Sequence, residues 1–191
     1  VSASADVAGG FAARNHFSLL GLPVRFAIDP QALEDAWRAV QGAVHPDRFA
    51  GGTDTQRRLA LQYSTRINEA HDTLRDPLRR AAYLCELHGV SIDAESNTAM
   101  PADFLIQQME WREALDDVRL ASDPRGLAQL DQELATALDE TRLILEHLID
   151  SSPPDFHKAA LEVRRMMFLV KFSEQLRQER ERMTDGAASD R

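Results

Sequence analysis

A chain of 191 residues with a formal net charge of −9, 43% apolar residues and a single cysteine excludes several classes of protein before any motif is read. No apolar run approaches the roughly twenty residues that cross a bilayer, and eight prolines with nine glycines are too few for a disordered chain. Cys85 has no partner for an internal disulfide, which points to a reducing, cytoplasmic setting. Residues 15–90 carry nine Lys/Arg against nine Asp/Glu, whereas residues 91–191 carry twelve against twenty-one. The whole net charge therefore lies in the second half, which opposes nucleic-acid binding and suits a partner with a basic surface.

In chain order, Val1 to Arg14 is small and polar, contains Gly9-Gly10 and lacks the apolar run of a secretory signal, so it is expected to be a disordered extension. Phe17 to Pro23 reads as a short apolar helix ending in glycine and proline. Asp29-Pro30 opens a second helix, the aspartate as N-cap and the proline where no N–H is needed. Leu33, Trp37, Val40 and Val44 form one face of it. Pro46 ends it, by biasing His45 out of the α region and breaking the hydrogen-bond ladder. Thr53-Asp54-Thr55-Gln56 is a capping box opening a helix with Leu59, Tyr63, Ile67, Ala70 and Leu74 on one face. Asp76-Pro77 stops it and starts another, Leu78 to His88, closed by Gly89. The two long helices form an antiparallel hairpin with His45-Pro46-Asp47 in the polar loop at its tip.

A linker over 91–100 precedes three further helices: Pro101 to Ala121; one capped by Ser122-Asp123-Pro124 and reaching about Asp150; and one opened by Pro153-Pro154-Asp155 and reaching about Met183. Residues 184–191 read as a structureless tail. Short connections imply an antiparallel three-helix bundle over 101–183, and no strand pattern is found. On its first helix, Phe104, Gln108, Trp111, Leu115 and Val118 fall within about forty degrees of one direction and should face the core. Leu105, Ile106 and Met109 cluster on the other side with Glu110, Glu113 and Asp117. One helix cannot bury both faces in such a bundle. The second apolar face therefore serves a partner, or Leu105 or Ile106 packs beneath the N-terminal helices.

Phe17 to Pro23, His45-Pro46-Asp47 and the run Ile67-Asn68-Glu69-Ala70-His71-Asp72-Thr73-Leu74-Arg75-Asp76-Pro77 through Tyr83 together resemble a J domain. Tyr83 to Gly89 and Phe104 to Glu113 narrow the resemblance to HscB, the J-type co-chaperone of iron–sulfur cluster assembly, over about Asn15 to Glu179. The resemblance implies an all-α, L-shaped protein: a J domain over 15–90, a linker, and a three-helix bundle that binds a scaffold protein. It implies a loop, His45, Pro46 and Asp47, with Arg25, Arg38 and Arg48 as the nearby positive charges, that docks on a DnaK-type (HscA-like) chaperone and triggers ATP hydrolysis. It also implies that Leu105, Ile106, Met109, Glu110, Glu113, Asp117 and Phe168 grip the iron–sulfur scaffold protein IscU. The cysteine-rich metal element of eukaryotic relatives is not found, which matches a bacterial form without a cofactor. One cysteine cannot supply the thiolates of a cluster, and Cys85, in an apolar stretch, reads as a small core residue.

The chain departs from the family pattern in two places. Gln41-Gly42-Ala43 stands where J domains usually carry Lys/Arg before the loop, and Gly42 costs that helix roughly 1 kcal/mol relative to alanine. Asp117 stands where a longer glutamate is common. Read without the resemblance, Pro46 is a turn residue and Asp47 a local cap. The histidines at 16, 71, 88, 147 and 157 form no i, i+3 or i, i+4 pair for a metal, and the pairs Asp116-Asp117, Asp139-Glu140, Arg79-Arg80 and Arg164-Arg165 read as solvated surface charge. With no phosphate loop and no nucleophile elbow, the expected protein is an adaptor rather than an enzyme. A general-folding J protein and an ATP-independent helical adaptor are the alternatives.

Overall fold

The computed structural model describes residues 14–44, 48, 51–92 and 100–189, and among them the regular elements are helices. In chain order they are α1 (His16–Leu20), α2 (Pro30–Val44), α3 (Asp54–Arg75), α4 (Pro77–Leu87), α5 (Ala102–Ala121), α6 (Pro124–Asp150) and α7 (Phe156–Ser189). The chain divides into two compact units, 1–84 and 85–191. The division falls inside α4, ahead of the Val90 boundary read from the sequence.

In the first unit, the local signals act as expected. Asn15 caps α1 by accepting from the Ser18 N–H, and Gly21 closes it at φ 69°, in the left-handed region that favours glycine. Asp29 accepts from the Gln31 N–H at 3.0 Å at the start of α2. The Thr53–Gln56 capping box of α3 is formed in both directions. Phe17, Phe26, Leu33, Ile67 and Leu74 are fully buried among α1, α2 and α3. At roughly 25 cal/mol per Å2 of apolar surface, each contributes about 2–3 kcal/mol of transfer free energy. Farther along the hairpin the α2–α3 contact turns polar. Asn68 Oδ1 accepts from Trp37 Nε1 at 3.0 Å and from Gln41 Nε2 at 3.3 Å. His71 stacks on Trp37 with ring centroids 4.7 Å apart and meets Glu34 Oε1 at 2.9 Å.

Arg80 departs from the surface role read for it. It is buried, its Nη1 donates to the Leu74 carbonyl at 2.7 Å and its guanidinium lies 5.0 Å from the Phe26 ring centroid. The break at Asp76-Pro77 leaves carbonyls of the last turn of α3 without helical donors, and Arg80 reaches back to satisfy one of them.

In the second unit, α5, α6 and α7 run antiparallel in succession around one core. Phe104, Trp111, Leu115 and Val118 of α5 pack with Leu127, Leu130, Leu134 and Ala137 of α6 and with Leu169, Phe172 and Leu176 of α7. Ser122, in the left-handed region at φ 48°, closes α5, and the Asp123 carboxylate then caps α6 by accepting from the Arg125 N–H. The helix α7 runs past Met183 to Ser189, so the tail expected from Thr184 is helical over its first six residues. The Thr184 hydroxyl bonds the Arg180 carbonyl at 2.9 Å, and Gly186 alone costs about 1 kcal/mol, too little to stop a helix already propagating.

Residues 85–92 pack within this unit. The His88 ring stacks on Phe156 at 3.9 Å, and Arg164 Nη1 donates to the Ile92 carbonyl at 2.8 Å. Arg164 thus serves this packing rather than standing as free surface charge. Cys85 is fully buried, with Sγ 3.9 Å from the Phe156 carbonyl oxygen. Burial pushes its thiol up to about 11, the Glu86 charge adding to the rise and Arg164 opposing it.

The thiol should therefore be inert. Near pH 8 its thiolate is about a thousandth of the population, so iodoacetamide should label the native chain about a hundredfold more slowly than the unfolded chain. Because the folded value lies above the unfolded one, this thiol leaves stability unchanged below about pH 8.5. Its contribution is lost as the pH climbs toward 11. Time-resolved mass spectrometry of the alkylated chain checks the first point, and urea melts at alkaline pH check the second.

Candidate functional site

The site read from the sequence rests on the rotation of α5 about its own axis. Phe104, Trp111, Leu115 and Val118 are buried on one side, with Gln108 partly buried beside them. Leu105, Ile106 and Met109 are left 43%, 58% and 60% exposed. Within the bundle, these three side chains lie outside the buried core cluster. Glu110, Glu113 and Asp117 are exposed along the same outward side. An apolar strip with a carboxylate border has the composition of a docking surface, apolar at its centre and polar at its rim.

Phe168 differs from its neighbours in the set. It is half-buried, edge-on to Phe104 at 5.6 Å and stacked with Trp111 at 6.3 Å and Phe172 at 5.8 Å. It belongs to the core as much as to the surface, and the reading of it as a freely exposed anchor is corrected. The cause is its position on α7, turned toward α5, where aromatic neighbours stabilise it by about 0.5–1.5 kcal/mol per pair beyond area burial. Two arginines missed in the sequence attend this cluster. Arg112 lies 5.6 Å from the Phe168 ring centroid and Arg165 lies 4.9 Å from that of Phe104. The signal for Arg112 was available: three residues after Met109, it falls on the helix between Leu105 and the core stripe. Arg165 therefore departs from the solvated-surface reading.

Glu162, one turn from Arg165 on α7, has its carboxyl raised above the ordinary range, chiefly by burial; Arg165 opposes the rise and Asp103 adds to it.

Of the loop residues, His45, Pro46 and Asp47 lie outside the described residues. Arg48 is exposed, and its Nη1 donates to the Gly42 carbonyl at 3.0 Å. That bond satisfies an acceptor in the last turn of α2, where a cation also matches the helix dipole. Arg38 is exposed on α2, 4.0 Å from Asp35 in an i, i+3 pair that contributes little to stability. Arg25 is exposed in the segment between α1 and α2. Among the described residues, no group of three or more His, Cys, Asp or Glu could hold a metal ion, and no helix is long and apolar enough to cross a membrane.

Comparison with known proteins agrees with this architecture. Residues 100–177 match the family model described as the HSCB C-terminal oligomerisation domain. The co-chaperone protein HscB homolog of Bordetella pertussis is 52% identical over 165 residues, covering 86% of this chain and 95% of that protein. The homolog of Burkholderia vietnamiensis is 48% identical over 170 residues, covering 88% and 95%. Among solved structures, the chaperone HscB from Vibrio cholerae superposes with a TM-score of 0.77 at 32% identity, over 89% of this chain and 99% of that one. Human co-chaperone protein HscB gives 0.80 at 26% identity, over 88% and 83%. Fold and sequence together define a co-chaperone class. The chain belongs to the HscB family.

The geometry separates surface from core by stability. Replacing Leu105 and Met109 together by alanine should change unfolding free energy by less than about 1 kcal/mol, since neither fills a cavity. Phe168→Ala should cost about 2–4 kcal/mol by removing the ring that Phe104, Trp111 and Phe172 pack against. Urea denaturation followed by circular dichroism measures both, and equal losses would remove the distinction.

Proposed function

We propose that this protein is an adaptor without catalysis of its own, acting in the cytoplasm. It presents an iron–sulfur cluster scaffold protein of the IscU type to a DnaK-type, HscA-like chaperone and stimulates that chaperone's ATPase. The observation that carries the reading is the exposed strip Leu105, Ile106 and Met109, 43–60% accessible, on the opposite side of α5 from a sealed core. An apolar surface bordered by Glu110, Glu113 and Asp117 is costly to leave in water and suits a partner with apolar anchors and basic flanks. Phe168 contributes its accessible edge to the same face.

The chaperone arm is the J domain of residues 15–90, the loop's Asp47 being the group that engages a basic residue of the ATPase and His45 and Pro46 shaping its approach. Arg25 and Arg38 are exposed, and we assign them to an acidic chaperone surface, for which Arg38 would exchange its weak pair with Asp35. Arg48 acts chiefly by closing the end of α2, which compensates part of the weakness introduced by Gly42. With two arms tethered in one chain, scaffold and ATPase are brought together at a raised effective concentration. Contact at the loop then favours the state in which ATP is cleaved and the client clamped.

Separate variants test the two arms. Asp47→Asn should abolish stimulation in a steady-state ATPase assay, while calorimetry finds scaffold affinity unchanged. Retention of full stimulation would sink the docking assignment.

A second expectation concerns coupling. Scaffold and this protein added together should stimulate the chaperone beyond the sum of their separate effects. Simple additivity across an ATPase titration would contradict the adaptor role.

A further inference from the structure

The three seams of the bundle are not electrically alike. Between α5 and α7, Arg119 Nε lies 3.0 Å from Glu179 Oε2, and between α6 and α7, Arg180 pairs with Asp131. Among the described residues the α5–α6 seam has no such pair. It holds instead an open groove of about 340 Å3 with Trp111, Ala114, Val118 and Leu130 in its lining. Glu110 of α5 and Glu133 of α6 line the same groove, with the amides of Gln107 and Gln129. The two helices come close at Gly126, where an added Cβ would lie 2.8 Å from Val118 Cγ2 and 2.8 Å from Asp123 Oδ2. From there the groove runs to Gln107 and Glu133, and the small side chain of Ala114 leaves it unfilled.

We infer that this groove receives a long-stemmed cationic side chain, arginine or lysine, from the scaffold protein, extending the docking strip of α5 onto α6. The inference rests on the proposed scaffold face and deepens it, since Glu110 borders both the strip and the groove. Methylene groups suit the apolar lining, and a guanidinium or ammonium suits the carboxylates and amide oxygens beside it. Neither Glu110 nor Glu133 has an ion-pair partner among the described residues. The wider field agrees: α5 and α6 carry eleven carboxylates against four arginines, while α7 carries seven cations against five carboxylates. An acidic partner would be repelled and a neutral one would leave both carboxylates unmatched. A second copy is a poor occupant as well. The chain is acidic overall, and on α7 Arg180 and Arg182 are already paired with Asp131 and Glu179.

The test uses the full chain and an iron–sulfur scaffold protein in calorimetric titrations at about 50 and about 300 mM salt. Glu133→Gln removes the charge while keeping an acceptor for the 3.0 Å bond from Gln129 Nε2, so the local structure is preserved. It should weaken binding about five- to tenfold at low salt and reduce the salt dependence, because a screened attraction has been lost. Met109→Ala should weaken binding similarly at both salt concentrations. The side-chain amide resonances of Gln107 and Gln129 should shift as scaffold is added to the parent chain. If Glu133→Gln binds like the parent while Met109→Ala is weakened, the groove is idle and the scaffold face stands. If the parent does not bind, or Met109→Ala is also without effect, the scaffold face itself is wrong and the groove assignment falls with it. If Glu133→Gln instead alters self-association in sedimentation, the occupant is a second copy and the inference is overturned.

Discussion

The rotation of α5 is the constraint on which the rest depends. Four side chains, Phe104, Trp111, Leu115 and Val118, are buried against α6 and α7, and each contributes about 1.5–3 kcal/mol by leaving water. Turning the helix by one residue, about 100°, would withdraw these groups and force carboxylates toward the core, at a cost of many kcal/mol. The helix therefore has one admissible orientation. Given that orientation, Leu105, Ile106 and Met109 have no position except outside. The exposed apolar strip is a consequence of core packing rather than a separate construction.

The aromatic cluster ties the two together. Phe168 stacks with Trp111 and Phe172 and meets Phe104 edge-on, so α7 is registered against α5 by rings that also reach the surface. Arg112 and Arg165 lie over two of these rings. Such cation–π contacts are worth about 0.5–1 kcal/mol at exposed sites, and they place positive charge inside an otherwise acidic border. A surface built on shared core residues is rigid, which would lower the entropic cost of the proposed association.

The first unit is organised by a different balance. Its core is apolar at Phe17, Leu33 and Ile67, but the α2–α3 contact ends in hydrogen bonds from Trp37 and Gln41 to Asn68. Partly buried polar bonds are directional, so they set the register of the two helices where hydrophobic contact alone would tolerate sliding. That matters for the proposed recognition loop that follows α2, because the register of α2 against α3 decides where α2 delivers the chain.

Much of this was legible in the chain itself, because helix ends are local. The Thr53–Gln56 capping box, the Asp76-Pro77 break and the Asp123 cap act over three or four residues, and a periodic apolar stripe needs no knowledge of what it meets. The two faces of α5 could be assigned for the same reason. What only the tertiary structure decided is what depends on distant neighbours. Phe168 is half core because Phe104 and Trp111 stand opposite it. Arg80 is buried because the Leu74 carbonyl and the Phe26 ring wait for it, and residues 85–92 pack with α7 because Phe156 lies beneath His88. The same holds for the α5–α6 groove, in which Glu110 and Glu133, twenty-three positions apart in sequence, come to line one site. Periodicity tells which way a side chain leaves its own helix; only packing tells what it meets there.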